Sequence, residues 1–135
     1  MAKAIGEMRG MTPEISKQLT AKGIKDSNQL LDAVAKPADR KKLAAELGVA
    51  TSVVLDLANR ADLARVNGIG TVFADLLEKA GVDTVKELAT RNPDNLLAKM
   101  TEVNSSDQVS KRLPQLADVQ NWIAQAKELP KLLQY

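Results

Sequence analysis

Short runs of apolar residues recur at helical spacing along the chain, and capping residues, prolines or glycines bound each run. In one example, Leu43, Ala44 and Leu47 share one face of a predicted helix. Pro37 begins this helix and Gly48 ends it. No stretch alternates between apolar and polar residues at the period of a strand. Comparable helix starts occur at Thr12-Pro13, Ser27, Thr51, Asp62, Thr71, Thr84, Asn92-Pro93 and Pro114. The pattern predicts an all-α fold, an orthogonal array of short helices.

The chain matches itself when it is shifted, which indicates an internal repeat. A shift of 58 residues pairs turn glycines and apolar residues: Gly10 with Gly68, Leu19 with Leu77, Gly23 with Gly81, and Leu30 with Leu88. Beyond a polar segment that begins at Asn104, a shift of 66 residues restores the match: Val53 with Val119, and Leu57 with Ile123. We therefore predict two repeats, residues 1–61 and 62–135, packed as one compact unit. The second repeat carries a loop insertion near 104–110.

Residue types that the chain lacks narrow its chemistry. Cys and His are absent, which excludes disulfides, thiolate chemistry and imidazole-based catalysis and removes the usual zinc ligands. No apolar run approaches the length of a membrane span, and the first residues lack the apolar region of a signal peptide. We therefore expect a cytoplasmic protein that is not an enzyme, binds no metal at a dedicated site and contacts no membrane.

Charge is distributed unevenly over the two repeats. The net charge is only +2, too small by itself to indicate a nucleic-acid partner. Residues 1–60 carry a net charge of +3, and residues 61–135 carry −1. The densest basic cluster, Arg40-Lys41-Lys42, fits either a solvated helix face or a phosphate contact. We interpret Lys111-Arg112 as a solvated loop.

The segment around the second pair of glycines has the spacing of a known motif. Val66 lies two residues before Gly68-Ile69-Gly70. Ala74 follows the second glycine by four residues, and Leu77 lies three further on. This pattern resembles the helix-hairpin-helix motif, a SAM-like arrangement. The continuation over residues 81–88 is similar to the segment after this motif in recombinase N-terminal domains and in the C-terminal domain of the RNA polymerase alpha subunit.

Nearly the whole chain, read as two tandem copies with linking helices, resembles an uncharacterised prokaryotic family of domains of unknown function. Independently of any family, a reversal in so few residues needs backbone conformations that glycine adopts readily. Ile69 is expected to point into the core, and the helix after Gly70 to present free N–H groups and the positive end of its dipole. Such a turn can bind phosphate without reading bases. The resemblance implies that two such hairpins contact both strands of a duplex across the minor groove.

The first copy of the turn departs from the motif. It reads Gly10-Met11-Thr12-Pro13, so Thr12 replaces the second glycine and Pro13 removes a backbone donor. We therefore interpret the first repeat as degenerate and its turn as structural. Arg9 and Lys17 flank this turn and remain candidates for electrostatic contacts.

These features predict a non-enzymatic module that binds nucleic acid, preferentially duplex DNA, through hairpin amides on phosphates and without sequence specificity. The resemblance also implies a monovalent cation, such as potassium, on the hairpin carbonyls; no other cofactor is expected. The alternative is a protein-interaction or scaffold module that has lost phosphate binding, since Thr71-Val72-Phe73 stands where DNA-binding members often carry Lys or Arg. The candidate binding residues are Asn67, Gly68, Ile69, Gly70, Thr71, Val72, Arg9, Gly10, Thr12, Lys17, Lys41 and Lys42.

The remaining chemistry-bearing side chains receive structural interpretations. Trp122 and Phe73 occupy apolar positions and are predicted to pack in the core, so no stacking platform for bases is expected. Asp75 and Glu78 are predicted to lie on the surface of a helix, because no catalytic partner lies near them.

Overall fold

The computed structural model describes residues 3–134, and these residues form eight α-helices preceded by a short 3₁₀ helix, Ile5–Glu7. This part of the chain contains no strand, only an isolated antiparallel bridge between Ala4 and Asp26. The predicted all-α class is confirmed. The helices are α1 (Pro13–Ala21), α2 (Ser27–Ala33), α3 (Pro37–Leu47), α4 (Thr51–Leu63), α5 (Thr71–Lys79), α6 (Val85–Leu88), α7 (Pro93–Asp107) and α8 (Leu116–Glu128).

Side-chain caps explain several of the helix starts. The Thr12 hydroxyl accepts a hydrogen bond from the Ile15 N–H at 3.1 Å, and Pro13 occupies the first helical position. Asn92 caps α7 in the same way by accepting from the Asn95 N–H. An N-terminal cap satisfies a backbone donor that the helix itself leaves free, so these starts are fixed locally. Both were correctly predicted.

Two predicted boundaries are wrong. Asp62 does not begin a helix but lies within α4, where its buried carboxylate accepts from the Val85 N–H at 2.8 Å. The polar segment at Asn104 is not a loop, because α7 continues to Asp107. The Asn104 side chain bonds both the N–H and the carbonyl of Ser110. These two hydrogen bonds close the turn that follows α7, so the polar segment at its end remains helical.

The two halves of the chain repeat one order of elements. Helices α1 and α5 have nine residues each, and α4 and α8 have thirteen each. The turns after α1 and α5 are closed by matching backbone hydrogen bonds. The Ile24 N–H donates to the Leu19 carbonyl at 2.9 Å, and the Val82 N–H donates to the Leu77 carbonyl at 2.9 Å. Each half also has its own cluster of buried apolar residues.

The C-terminal segment ties the second half back to the first. Leu133 is buried in the apolar cluster of the first half, and the Gln134 N–H donates to the Ala35 carbonyl at 2.8 Å. Arg40 is only 4% exposed, and its guanidinium donates to the carbonyls of Val34 and Gln134. Arg40 therefore does not belong to a solvated basic face, the interpretation that its sequence context favoured. Among residues 3–134, none of the helices combines the length and apolarity that crossing a membrane requires.

Candidate nucleic-acid interface

The turn before α5 is built on a glycine that packs directly against an aromatic ring. Gly68 has a φ of +97°, and a Cβ atom at this position would lie 2.9 Å from Trp122 Nε1. Next to it, the Gln125 side chain bonds both the N–H and the carbonyl of Asn67. Ile69 is 1% exposed and belongs to the second apolar cluster, as predicted. The turn is therefore held from α8 on one side and from the core on the other.

Helix α5 begins without a side-chain cap. Gly70 is its N-cap residue, with extended backbone angles, and within residues 3–134 no side chain caps the first turn. The Gly70 carbonyl accepts from the Ala74 N–H, as the start of a helix requires. The N–H groups of Thr71 and Val72 lie in the first turn, where the helix supplies no acceptor. Both residues line an open cleft, so the positive end of the helix faces solvent.

This cleft, which we call the α5 cleft, has a volume of about 1050 Å³. Two segments distant in sequence join the start of α5 in lining it: residues 3–9 and the loop 108–112. Each segment contributes basic side chains. Glu7 is the one carboxylate among the described residues that line the cleft. The basic residues are Lys3, Arg9, Lys111 and Arg112.

Arg112 is held over an aromatic pair at the cleft. Its guanidinium carbon lies 5.4 Å from the centre of the Phe73 ring. The Phe73 and Trp122 ring centres lie 5.3 Å apart in a tilted arrangement. Trp122 is buried in the core, as predicted, whereas Phe73 packs on the core and also lines the cleft. A guanidinium stacked on a ring keeps its N–H edge available for an anion.

Arg9 is positioned in the cleft by two acceptors. Its Nη1 donates to Asp75 Oδ2 at 3.1 Å and to the Val109 carbonyl at 2.9 Å. The side chain is still 40% exposed. Arg9 therefore joins the N-terminal segment, α5 and the loop 108–112 while keeping donors free to turn toward solvent.

Behind the cleft, Arg60 binds three carboxylates between the two halves. It donates to Asp56 Oδ2 through Nε at 3.1 Å and to Asp75 Oδ1 through Nη1 at 2.5 Å, and its Nη2 lies 3.3 Å from Glu78 Oε1. Asp75 is 7% exposed and Glu78 is half-buried. The prediction that these two carboxylates lie on the surface is wrong. Helix α5 is covered on this side by α4, so its charged residues face Arg60 rather than water.

The carboxylates of this network have opposite pKa shifts. Burial opposes ionisation of Asp75, but hydrogen bonds from Arg60 and Arg9 lower the pKa of its carboxyl. Burial, reinforced by the nearby negative charge of Asp56, raises the pKa of Glu78 to about 8 despite the attraction of Arg60. Arg60 Nε lies 3.2 Å from Glu78 Oε2 but directs its N–H at Asp56. Among the described residues, the buried Oε2 therefore has no hydrogen-bond partner.

We predict that Glu78 makes the protein less stable as the pH rises. Its folded-state pKa of about 8 lies above the ordinary value of 4.5. Its stabilising contribution is thus complete below pH 4.5 and is lost as the pH rises toward 8. Glu78→Gln mimics the protonated carboxyl. When both proteins are unfolded with urea between pH 5 and 8.5, the free energy of unfolding of this variant should fall less with rising pH than that of wild type. Asp75 acts in the opposite sense and only in acid, since its pKa is lowered, so it does not obscure this range. Equal pH slopes for wild type and variant would contradict the prediction.

The first turn has the same backbone reversal but different surroundings. Gly10 has a φ of +83°, and a Cβ there would lie 3.2 Å from Asp56 Oδ2 and 3.3 Å from Arg60 Nε. Asp56 and Trp122 occupy equivalent positions of the two repeats, because the 66-residue shift pairs them. The first turn therefore packs on a carboxylate, whereas the second packs on an indole ring. Thr12 caps α1 itself.

The structure brings some of the predicted binding residues together and leaves others apart. Arg9, Gly68, Gly70, Thr71 and Val72 line the α5 cleft, and Asn67 and Ile69 complete its turn. The other candidates do not line it: Gly10, Thr12, Lys17, Lys41 and Lys42. Lys17 is exposed on α1, and Lys41 and Lys42 are exposed on α3.

Sequence reasoning missed Lys3, Lys111 and Arg112 as cleft residues. Lys111 and Arg112 are exposed, as a solvated loop requires, yet they lie beside the start of α5. The available signal was their place directly after the insertion near 104–110, a segment that the first repeat lacks.

A family model described as a domain of unknown function, DUF4332, matches residues 9–129. The match spans most of the 135 residues, and the chain belongs to this family. No curated protein and no solved structure matches the chain. The expected relationship to a family of domains of unknown function is confirmed, while the helix-hairpin-helix character of the two turns stays a prediction.

Proposed function

We propose that this DUF4332 domain is a non-enzymatic module that binds the phosphate backbone of nucleic acid, favouring duplex DNA, without reading base sequence. In this proposal residues 66–77 act as a working helix-hairpin-helix motif, and residues 8–19 are a degenerate copy. The observation that carries the proposal is the uncapped start of α5, which opens into a cleft with four basic side chains.

The chemistry of the cleft suits a phosphate group. The N–H groups of Thr71 and Val72 offer donors at the positive end of α5, where an anion is favoured. Lys3, Arg9 and Lys111 add charge that attracts any polyanion and makes its binding weaken with salt. Contacts of this kind fix the position of a nucleic acid but carry no sequence information.

The acidic residues of α5 do not oppose an anion as strongly as their number in the sequence suggests. Asp75 is bound by both Arg60 and Arg9. Glu78 is half-buried against Arg60 and has a pKa of about 8, which keeps it largely neutral at neutral pH. Neither residue lines the α5 cleft. The negative charge of α5 is therefore mostly compensated behind the helix.

Gly70→Asp tests the proposal without damaging the fold. Gly70 has a φ of −85°, and a Cβ there would meet no atom within 4 Å, so aspartate fits. Its carboxylate would cap the N–H groups of the first turn and place a negative charge at the phosphate position. We expect duplex DNA binding, measured by fluorescence anisotropy at low salt, to weaken at least about tenfold, while the melting temperature stays equal or rises.

Gly70→Ala is the matched control, because it adds a Cβ but no acceptor. It should bind within about threefold of wild type, a difference below 1 kcal/mol. If Gly70→Asp binds as well as Gly70→Ala, the start of α5 is not the phosphate site. If wild type binds no duplex at low salt, the protein-interaction alternative gains, since near-neutral charge and a degenerate first turn suit a scaffold.

A further inference from the structure

We infer that the domain holds nucleic acid along a single strand, so that only one of its two equivalent turns contacts phosphate. This inference rests on the function proposed above and specifies the partner of the α5 cleft. It departs from the symmetric arrangement in which two hairpins each take one strand of a duplex.

Two of the first three residues of α1 cannot offer a backbone N–H to a phosphate. The Thr12 hydroxyl accepts the Ile15 N–H, and Pro13 has no N–H. Glu14 adds a negative charge in the first turn of α1. In α5, by contrast, the N-cap is a glycine and the first turn holds no acidic residue.

The residues beneath the two turns reinforce this difference. Asp56 Oδ2 lies within 3.2 Å of the position that a Cβ on Gly10 would take. That carboxylate is about one-third exposed and is paired with Arg60, whose Nε lies 3.3 Å from the same position, so an anion at this turn would meet an ion pair that is already formed. At the second turn the equivalent place is held by the neutral indole of Trp122. The guanidinium beneath the first turn is therefore already bound to Asp56 and Asp75, and the residues beneath this turn do not favour an anion there.

Basic side chains also converge on one turn and not on the other. Lys3 and Arg9 reach the α5 cleft from the N-terminal segment, and Lys111 and Arg112 reach it from the loop 108–112. Near the first turn, Lys17 is exposed on α1, while Lys22 is already paired with Glu46. A cleft with cations from two segments and amides between them suits one sugar–phosphate backbone.

The ligand class that follows is a phosphodiester strand, either single or within a duplex. A duplex would then bind through whichever strand enters the cleft, and its second strand would face away from the protein. Neutralising the charge of one strand should therefore matter little, whereas neutralising both should abolish binding.

The experiment compares three duplexes of one sequence: unmodified, with methylphosphonate linkages in one strand, and with such linkages in both strands. We call the duplex with methylphosphonate linkages in one strand the half-neutral duplex. If the protein contacts only one strand, the Kd of this duplex should exceed that of the unmodified duplex by no more than about threefold, because it offers half as many binding sites and attracts the protein less strongly at long range. The fully neutral duplex should bind at least about tenfold more weakly than the unmodified one. Both half-neutral arrangements are measured, because they must give the same result.

Two matched lysine variants show which of the two turns contacts the phosphates. On the half-neutral duplex, Lys111→Gln should weaken binding and reduce the salt slope by about one phosphate contact, whereas Lys17→Gln should change neither. If either half-neutral duplex binds as weakly as the fully neutral one, both strands are needed and the inference is wrong, while the proposed function survives. Absence of binding to the unmodified duplex would overturn the proposed function and this inference with it.

Discussion

Replacing Arg60 with methionine should lower the free energy of unfolding by about 3–5 kcal/mol, because it removes a buried cation from the buried Asp75 carboxylate. The Arg60 side chain is 11% exposed and the Asp75 side chain 10% exposed, so water can replace little of the lost interaction. Methionine keeps most of the apolar stem of the side chain and removes the guanidinium group. The loss therefore reports the charge network rather than an empty space.

Urea denaturation at pH 7 measures the effect, with Lys22→Met as the matched control. Lys22 pairs with Glu46, but both side chains are more than one-third exposed. An exposed pair of this kind contributes little to stability, because water screens the two charges. Equal losses in the two variants would show that the Arg60 network is worth no more than a surface ion pair.

A second substitution distinguishes two possible causes of the stability lost in Arg60→Met: an unpaired buried charge and lost packing. In the Arg60→Met background, Asp75→Asn removes the uncompensated charge while keeping the shape of the side chain. Part of the lost stability should then return, because an unpaired buried carboxylate costs more than a neutral amide. No recovery would indicate that the loss comes from the volume that the guanidinium group filled.

Features that depend on neighbours in the chain could be predicted from the sequence. The caps at Thr12 and Asn92, and the inward position of Ile69, follow from bonds or contacts within a few residues. A donor and an acceptor only three residues apart can form their hydrogen bond independently of the rest of the fold. Such local patterns therefore predict the same structure in different proteins.

Features that depend on how the two halves meet could not be predicted. Arg9 and Asp75 are 66 residues apart, and Arg9 and Val109 are 100 apart. Their pairing requires the N-terminal segment to lie beside α5 and the loop 108–112, which no local pattern encodes. The same holds for Arg40, whose burial depends on the C-terminal segment returning to the first half.

Helix α5 shows why amphipathic reasoning placed its carboxylates wrongly. Four consecutive residues, 74–77, are buried. An ordinary surface helix exposes one face over a full turn, but α5 lies between its own core and α4. Asp75 therefore lies on the face of α5 that the sequence pattern predicts to be exposed, and α4 covers that face in the structure.

Replacing Gly68 with alanine should destabilise the protein by about 2–4 kcal/mol, combining backbone strain at positive φ with a clash in a packed core. The added Cβ would lie 2.9 Å from Trp122 Nε1, and Trp122 is itself only 3% exposed and cannot swing aside. Gly23→Ala is the control, because its φ of +86° gives the same strain with no atom within 4 Å. It should cost about 1–2 kcal/mol.

Fluorescence provides a local measurement, since Trp122 is the one tryptophan of the chain. Gly68→Ala should change the emission of the folded protein, whereas Gly23→Ala should leave it unchanged. Because the same contact sets the position of Gly70 and of the first turn of α5, Gly68→Ala should also weaken duplex binding at temperatures where the variant remains folded. If the two alanine variants lose equal stability and keep equal emission, the contact between Gly68 and Trp122 does not hold the turn. The exposure of the α5 amides would then need another cause.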